Sequence, residues 1–185
     1  GYKGLNARVD LQADYYRLDR AVYLNENALP QQHPGSFGLW SVKGSLDLGY
    51  NWLQSRHHFL LQRSGSKDYE PLAPLAAWHS VYVDFMAFDR ALHLQIGFDL
   101  NWVVAHHPMG WMPAVRMFYV HDQGMAPARL MGDVFVNFQI SRTRFFLKLE
   151  NIGGVLPDAR PVYLIPYYPL PEMAFKFGLS WMFFD

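Results

Sequence analysis

Apolar and polar residues take turns in runs of about ten along most of this chain, and a strict period of two is the mark of a strand with two unlike faces. The longest uninterrupted run places Leu92, Leu94, Ile96, Phe98, Leu100 and Trp102 on one face against His93, Gln95, Gly97, Asp99 and Asn101 on the other. Leu5, Ala7, Val9, Leu11, Ala13 and Tyr15 alternate in the same way with Asn6, Arg8, Asp10, Gln12, Asp14 and Tyr16, and Trp40, Val42, Leu46, Leu48, Tyr50 and Trp52 with Ser41, Lys43, Ser45, Asp47 and Asn51. Val134, Phe138 and Ile140 against Asp133, Asn137 and Gln139, followed after a short turn by Phe145, Leu147 and Leu149 against Arg144, Lys148 and Glu150, read as a hairpin. The last run sets Met173, Phe175, Phe177, Leu179, Trp181 and Phe183 opposite Lys176, Gly178 and Ser180, while residues 59–63 and 81–88 give shorter patterns. Helical periodicity is scarce. The expectation is an all-β, antiparallel fold of about eight strands.

The connections between these runs fall into two kinds. Short ones are expected at residues 53–56, at Asp89 and Arg90, and at 141–143; long ones at 19–37, 64–77, 104–130 and 151–171. They alternate along the chain, provided that residues 112–121, which alternate poorly and contain Pro113, belong to a long excursion and not to a spanning strand. Short turns at one end and long loops at the other is the pattern of an outer-membrane barrel, with the short turns on the periplasmic side. The runs also have nearly the ~9–11 residues that a tilted strand needs to cross a bilayer.

Alternation leaves open whether the polar face meets bulk water or a lumen, so a soluble β-sandwich or lipocalin-like barrel is the plain alternative. Composition decides between them. Aromatic residues make up 17% of the chain and charged residues 17%, the latter below the roughly 25% of soluble domains. Eight strands enclose an interior too narrow for so many Phe and Trp rings, whereas rings facing lipid need no such fit. Trp40, Tyr50, Trp52, Trp102, Trp181 and Phe183 fall near expected strand ends, where interfacial girdles belong. No stretch approaches the ~18 apolar residues of a membrane helix, so a membrane protein of this sequence spans as strands.

Other classes find little support. Acidic and basic residues balance at 16 each, so no global field draws the chain to nucleic acid or anionic lipid. There is no cysteine, hence no disulfide or thiolate chemistry. The pairs His57–His58 and His106–His107 are poor metal sites because neighbours on a strand point to opposite faces; the first is expected beside a turn and the second in a loop. Asp68, Glu70 and Asp122 match no calcium loop. No G-x-S-x-G elbow is present, and His79 and Ser80 would point opposite ways, so no catalytic residue, cofactor or metal is expected. The better candidates are the lumen-facing charges Arg8, Asp10, Asp14, Lys43, Asp47, Asp99, Arg144, Lys148 and Glu150, since charged rings set the ion preference of a pore. The same charges could instead pair off and stiffen the wall.

The phrases VYLNENALPQQ (22–32), LHLQIGFDLNW (92–102), GDVFVNFQISRTRFFLKLENI (132–152) and YYPLPEMAFKFGLSWMFFD (167–185) resemble those of the β-barrel porins of Bacteroidetes. The resemblance covers nearly the whole chain as a single domain, 1–185. It implies a Gram-negative outer membrane, contact with its lipid, and passive diffusion of small polar solutes. It also implies a longer protein with more strands, and the strand pattern beginning almost at Gly1, with no signal-peptide h-region before it, leads to the same expectation of a C-terminal portion of a larger barrel. A filled barrel serving as a non-conducting scaffold, alone as a homo-oligomer or with other outer-membrane proteins, is the alternative.

Overall fold

The computed structural model describes residues 4–66, 73–121, 124–155 and 163–182. Among the described residues fourteen strands are formed. Eight of them are long: β1 (Asn6–Asp19), β4 (Ser36–Tyr50), β5 (Leu53–Ser64), β6 (Leu75–Ala87), β7 (Leu92–Val103), β10 (Arg129–Ile140), β11 (Thr143–Glu150) and β14 (Ala174–Trp181). These make one antiparallel sheet in the order β1-β4-β5-β6-β7-β10-β11-β14. Every long strand therefore lies beside the next long strand in the chain, the up-and-down order in which each ladder is local and no crossover is needed. The short strands β2 (Val22–Leu24), β3 (Pro30–Gln32), β8 (Gly110–Met112) and β9 (Met117–Tyr119) build a separate sheet ordered β3-β2-β9-β8, and β12 (Tyr163–Ile165) pairs β13 (Tyr168–Pro169). Residues 152–155 form a 3₁₀ turn.

Three tight turns, at residues 51–52, 88–91 and 141–142, join β4 to β5, β6 to β7 and β10 to β11 at one end of the sheet. The left-handed backbone that such hairpin turns demand falls on Asn51 (φ 53°), on Phe88, Asp89 and Arg90, and on Ser141 (φ 53°). All the long connections lie at the other end. The poorly alternating stretch around Pro113 is, as expected, part of one of them: β8 and β9 are a hairpin whose Tyr119 pairs in parallel with Leu24 of β2. That pair ties the first long connection to the third, and it is the exception to an otherwise antiparallel fold.

The structure corrects the boundaries in three places. Residues 53–56 are not a turn but the start of β5, which runs for 12 residues. Arg56, His57 and His58 break the alternation, yet ladders to β4 on one side and β6 on the other hold the segment extended. His57 and His58 thus sit within a strand, not beside a turn. The strand expected at 81–88 begins six residues earlier, at Leu75, and gives up Phe88 to the turn.

The sheet is a single layer, and among the described residues no large side chain is fully buried. A soluble sandwich would cover its apolar face with a second sheet, and none of the described residues does so here. Phe98, Phe175, Phe177, Leu179 and Ile96 stand open on that face, Phe177 with 75% of its surface exposed. Cross-strand pairing still organises the face: Phe138 and Phe145 are directly opposed and stacked with centroids 4.8 Å apart, the kind of pair that adds a few tenths to about 1 kcal/mol to a ladder. Among the described residues the most buried apolar side chains, Leu24, Ala126, Tyr23 and Phe37, lie at the long-connection end. Among the described residues the sheet is open, with β1 and β14 each paired on one side only.

Candidate functional site

Partners across a ladder share a face, so the register carries a row of side chains from strand to strand. One row on the polar face reads Arg8, Asp47, Arg56, Ser80, Asp99 and Asp133, one residue from each of six consecutive strands. The adjacent row reads Asn6, Gly49, Gln54, Tyr82, Gly97, Phe135, Lys148 and Lys176 and crosses all eight. Together they form a charged belt running the width of the sheet.

The belt is held by ion pairs. The ammonium of Lys148 lies 2.9 Å from Asp133, 3.6 Å from Asp99 and 3.9 Å from Glu150, and Lys176 donates to Glu150 at 2.6 Å. One cation thus answers three carboxylates contributed by β7, β10 and β11, and a second cation from β14 leaves the cluster with one negative charge in excess. These groups are half-buried, with 15% of the side-chain surface exposed for Asp99 and Asp133, so removing Lys148 strands acids that water only partly reaches. On β5 the guanidinium of Arg56 lies over the Tyr82 ring, 5.6 Å from its centroid. Towards β1 the charges are looser: Arg8 pairs with Asp10 at 2.9 Å and Lys43 with Asp14 at 3.5 Å, all but Asp14 well exposed. Asp47 keeps one buried carboxylate oxygen without a partner among the described residues.

All nine charges singled out in the sequence, Arg8, Asp10, Asp14, Lys43, Asp47, Asp99, Arg144, Lys148 and Glu150, share this face. The structure gathers Lys148, Glu150 and Asp99 into one cluster and leaves Arg144 apart, its Nε donating to Gln139 Oε1 at 3.0 Å. Sequence reasoning missed Arg56, Asp84, Asp133 and Lys176. Asp84, Asp133 and Lys176 were visible as polar positions of alternating runs, whereas Arg56 was hidden by the broken pattern around it. Asp84 accepts from His93 at 2.6 Å and from Gln95 at 2.8 Å, tying β6 to β7 below the belt. Counting these and Arg129, acids and bases on the polar face are equal in number.

The polar face also curls around two recesses. One of about 760 Å³ lies towards the long connections, lined by Lys43, Ser45, His58, Trp78, Asn101 and Met131 among others. A second of about 520 Å³ lies towards the tight turns, against His93, Gln95, Asn137, Gln139, Arg144 and Phe146.

The aromatic residues expected at the two rims separate by end. Trp40 and Trp102 stand on the apolar face towards the long connections, while Tyr50 and Trp181 stand there near the tight turns, with Trp52 in the first turn itself. Phe183 lies outside the described residues, as do Asp68, Glu70 and Asp122. Beyond Tyr15 and Trp40 the faces exchange character: Arg17, Asp19 and Arg63 continue the apolar face, and Leu18, Phe37 and Leu39 the polar one.

His57 and His79 occupy facing positions on the apolar face, one imidazole Nδ1 donating to the other across 2.8 Å. His58 turns to the opposite face and lies 5.1 Å from the Trp78 ring, and His79 and Ser80 likewise diverge. Among the described residues no three metal-ligating side chains converge. His106 sits in a long connection, bridged through its backbone to Ala126.

The family model described as "Putative porin" matches residues 2–185 of this chain. No curated protein and no solved structure matches it.

Proposed function

The chain belongs to this porin family, and on that premise we propose that its sheet is part of the wall of an outer-membrane β-barrel through which small polar solutes diffuse passively. The observation that carries the reading is a single layer with two unlike faces, one apolar and uncovered, the other bearing a charged belt. In this reading the apolar face meets lipid and the polar face a water-filled lumen, the division found in membrane barrels. Trp40 and Trp102 then lie at the outer interface and Tyr50, Trp52 and Trp181 at the periplasmic one. The exchange of character beyond Tyr15 and Trp40 is what a strand does on leaving the bilayer: outward positions become free to be polar. The two edges, β1 and β14, carry unpaired backbone groups that lipid cannot satisfy, so further strands close the wall.

Charge balance on the polar face gives a lumen of weak ion selectivity, in which the belt narrows and orders the path without excluding either sign. No catalytic step is assigned to any residue. The rival is a non-conducting subunit or scaffold of a larger outer-membrane assembly, and one observation favours it: the first and third long connections fold into a sheet of their own, β3-β2-β9-β8, a ready surface for a partner. Conductance of the intact protein in planar bilayers separates the two. Stepwise ionic currents support the porin; a folded, inserted protein that stays silent, also after its long connections are shortened, replaces it with the scaffold.

A further inference from the structure

Phe146 is out of place on the polar face. It pairs with Asn137 on one side and Gly178 on the other, in a row whose other members are Asp84 and Gln95, and it keeps 45% of its surface exposed. Gly178 explains its posture. A Cβ built on that glycine would lie 2.3 Å from the Phe146 ring, so the ring reclines across the bare backbone of β14 with its outer side open to the recess of about 520 Å³. That volume is within the range of small-molecule sites.

The polar groups around the ring are pre-set by one another. Gln95 donates to Asp84 at 2.8 Å and accepts from Asn137 at 3.4 Å, and Gln139 donates to the Ser141 carbonyl and accepts from Arg144 Nε at 3.0 Å. These bonds orient three amides and a guanidinium. The terminal nitrogens of Arg144, Oδ1 of Asn137 and the Ser180 hydroxyl make no hydrogen bond among the described residues, so both donors and acceptors remain to face the recess. Among the described residues, Asp84 and His93 on these rungs are hydrogen-bonded to each other at 2.6 Å.

An open aromatic face framed by oriented amide, guanidinium and hydroxyl groups suits a ligand with a flat C–H surface and a rim of hydroxyls. We propose that Phe146, Asn137, Gln139, Arg144 and Ser180 form a subsite for a saccharide ring. The ring stacks its C–H face on Phe146, while vicinal hydroxyls accept from the Arg144 fork and donate to Asn137. The inference rests on the porin reading for its meaning, as the place where a sugar dwells on its way through the wall, but not for its chemistry.

Two measurements on the intact protein keep the two readings apart. Maltotriose, cellotriose and mannotriose are titrated against single-channel current in planar bilayers, and against the detergent-solubilised protein by calorimetry. At least one should bind and interrupt the current reversibly. Phe146→Ala should raise the half-saturating concentration tenfold or more, scaled to the variant's own open current; Gly178→Ala, which lifts the ring, should raise it severalfold, and Phe146→Tyr should restore binding. A channel that conducts but binds none of the three sugars overturns the subsite and leaves the porin. A silent protein that binds a sugar through Phe146 keeps the subsite and overturns the porin. Binding indifferent to Phe146 and Gly178 overturns the subsite whatever the current does.

Discussion

Ile96 and Gln95 are neighbours in β7 on opposite faces, and one substitution at each tests the assignment of those faces. Ile96 faces Val83 and Val136 on the apolar side and is 41% exposed. An arginine there has no carboxylate in its row and must place its charge in lipid, at ~2–4 kcal/mol near the middle of an outer-membrane barrel. Gln95 lies between Asp84 and Asn137 on the polar side and already donates to the Asp84 carboxylate. Arginine in its place keeps that acceptor and gains a charge complement, so the loss should stay below about 1 kcal/mol. At about 1.4 kcal/mol per tenfold, Ile96→Arg should lower the folding equilibrium by roughly 30- to several-hundredfold and Gln95→Arg by no more than about fivefold. Reversible urea titration of the intact protein refolded into liposomes, followed by Trp fluorescence, reads both. Equal destabilisation refutes a lipid face distinct from a lumen face, and a larger loss at Gln95 reverses the assignment.

Three further outcomes follow from the same geometry. Replacing Arg144 and Lys148 together by Gln removes two cations of the polar face and leaves Asp99, Asp133 and Glu150 with Lys176 alone nearby, so on the porin reading the reversal potential under a salt gradient should move towards cation preference; an unchanged potential removes these side chains from the ion path. In the apolar face a Cβ on Gly44 would sit 2.1 Å from the Phe59 ring, so Gly44→Val should cost about 1–3 kcal/mol by forcing the ring aside, and the loss should shrink in a Phe59→Ala background when both are titrated in urea. Deleting the chain from Met173 onwards leaves β11 paired to β10 alone and exposes the backbone groups of its other edge; the truncated protein should fail to give a heat-modifiable band in outer-membrane fractions, and a normal band would show that β14 is dispensable for insertion.

How much of this was legible in the chain depended on whether both faces of a segment kept their character. The run from Leu92 to Trp102 became β7 almost without change because each of its positions carries the polarity its face requires. β5 was misplaced because Arg56, His57 and His58 put polar side chains on both faces, and the beginning of β6 because Leu75, Ala76, Ala77 and Trp78 put apolar ones on both. In both segments the neighbouring ladders supply the extended conformation that local pattern does not announce. The turn at 51–52 escaped for a related reason: Asn51 takes the left-handed conformation, but Trp52 beside it looks like one more residue of a strand.

By itself the sequence determined which face each side chain takes, since alternation along a strand is a property of the local backbone and needs no partner. From that parity came the two-faced wall, the polar face with its nine charges, and the sorting of short and long connections to opposite ends. The register was decided only by the tertiary structure. That Lys148 meets Asp99 from β7 and Asp133 from β10, that His57 meets His79, and that the Phe146 ring finds Gly178 beneath it are facts of which residue stands opposite which. Those pairings join positions from 15 residues apart, for Lys148 and Asp133, to 49, for Lys148 and Asp99. They are set by turn length and by the sum of many ladder bonds, and no spacing in the sequence encodes them one by one.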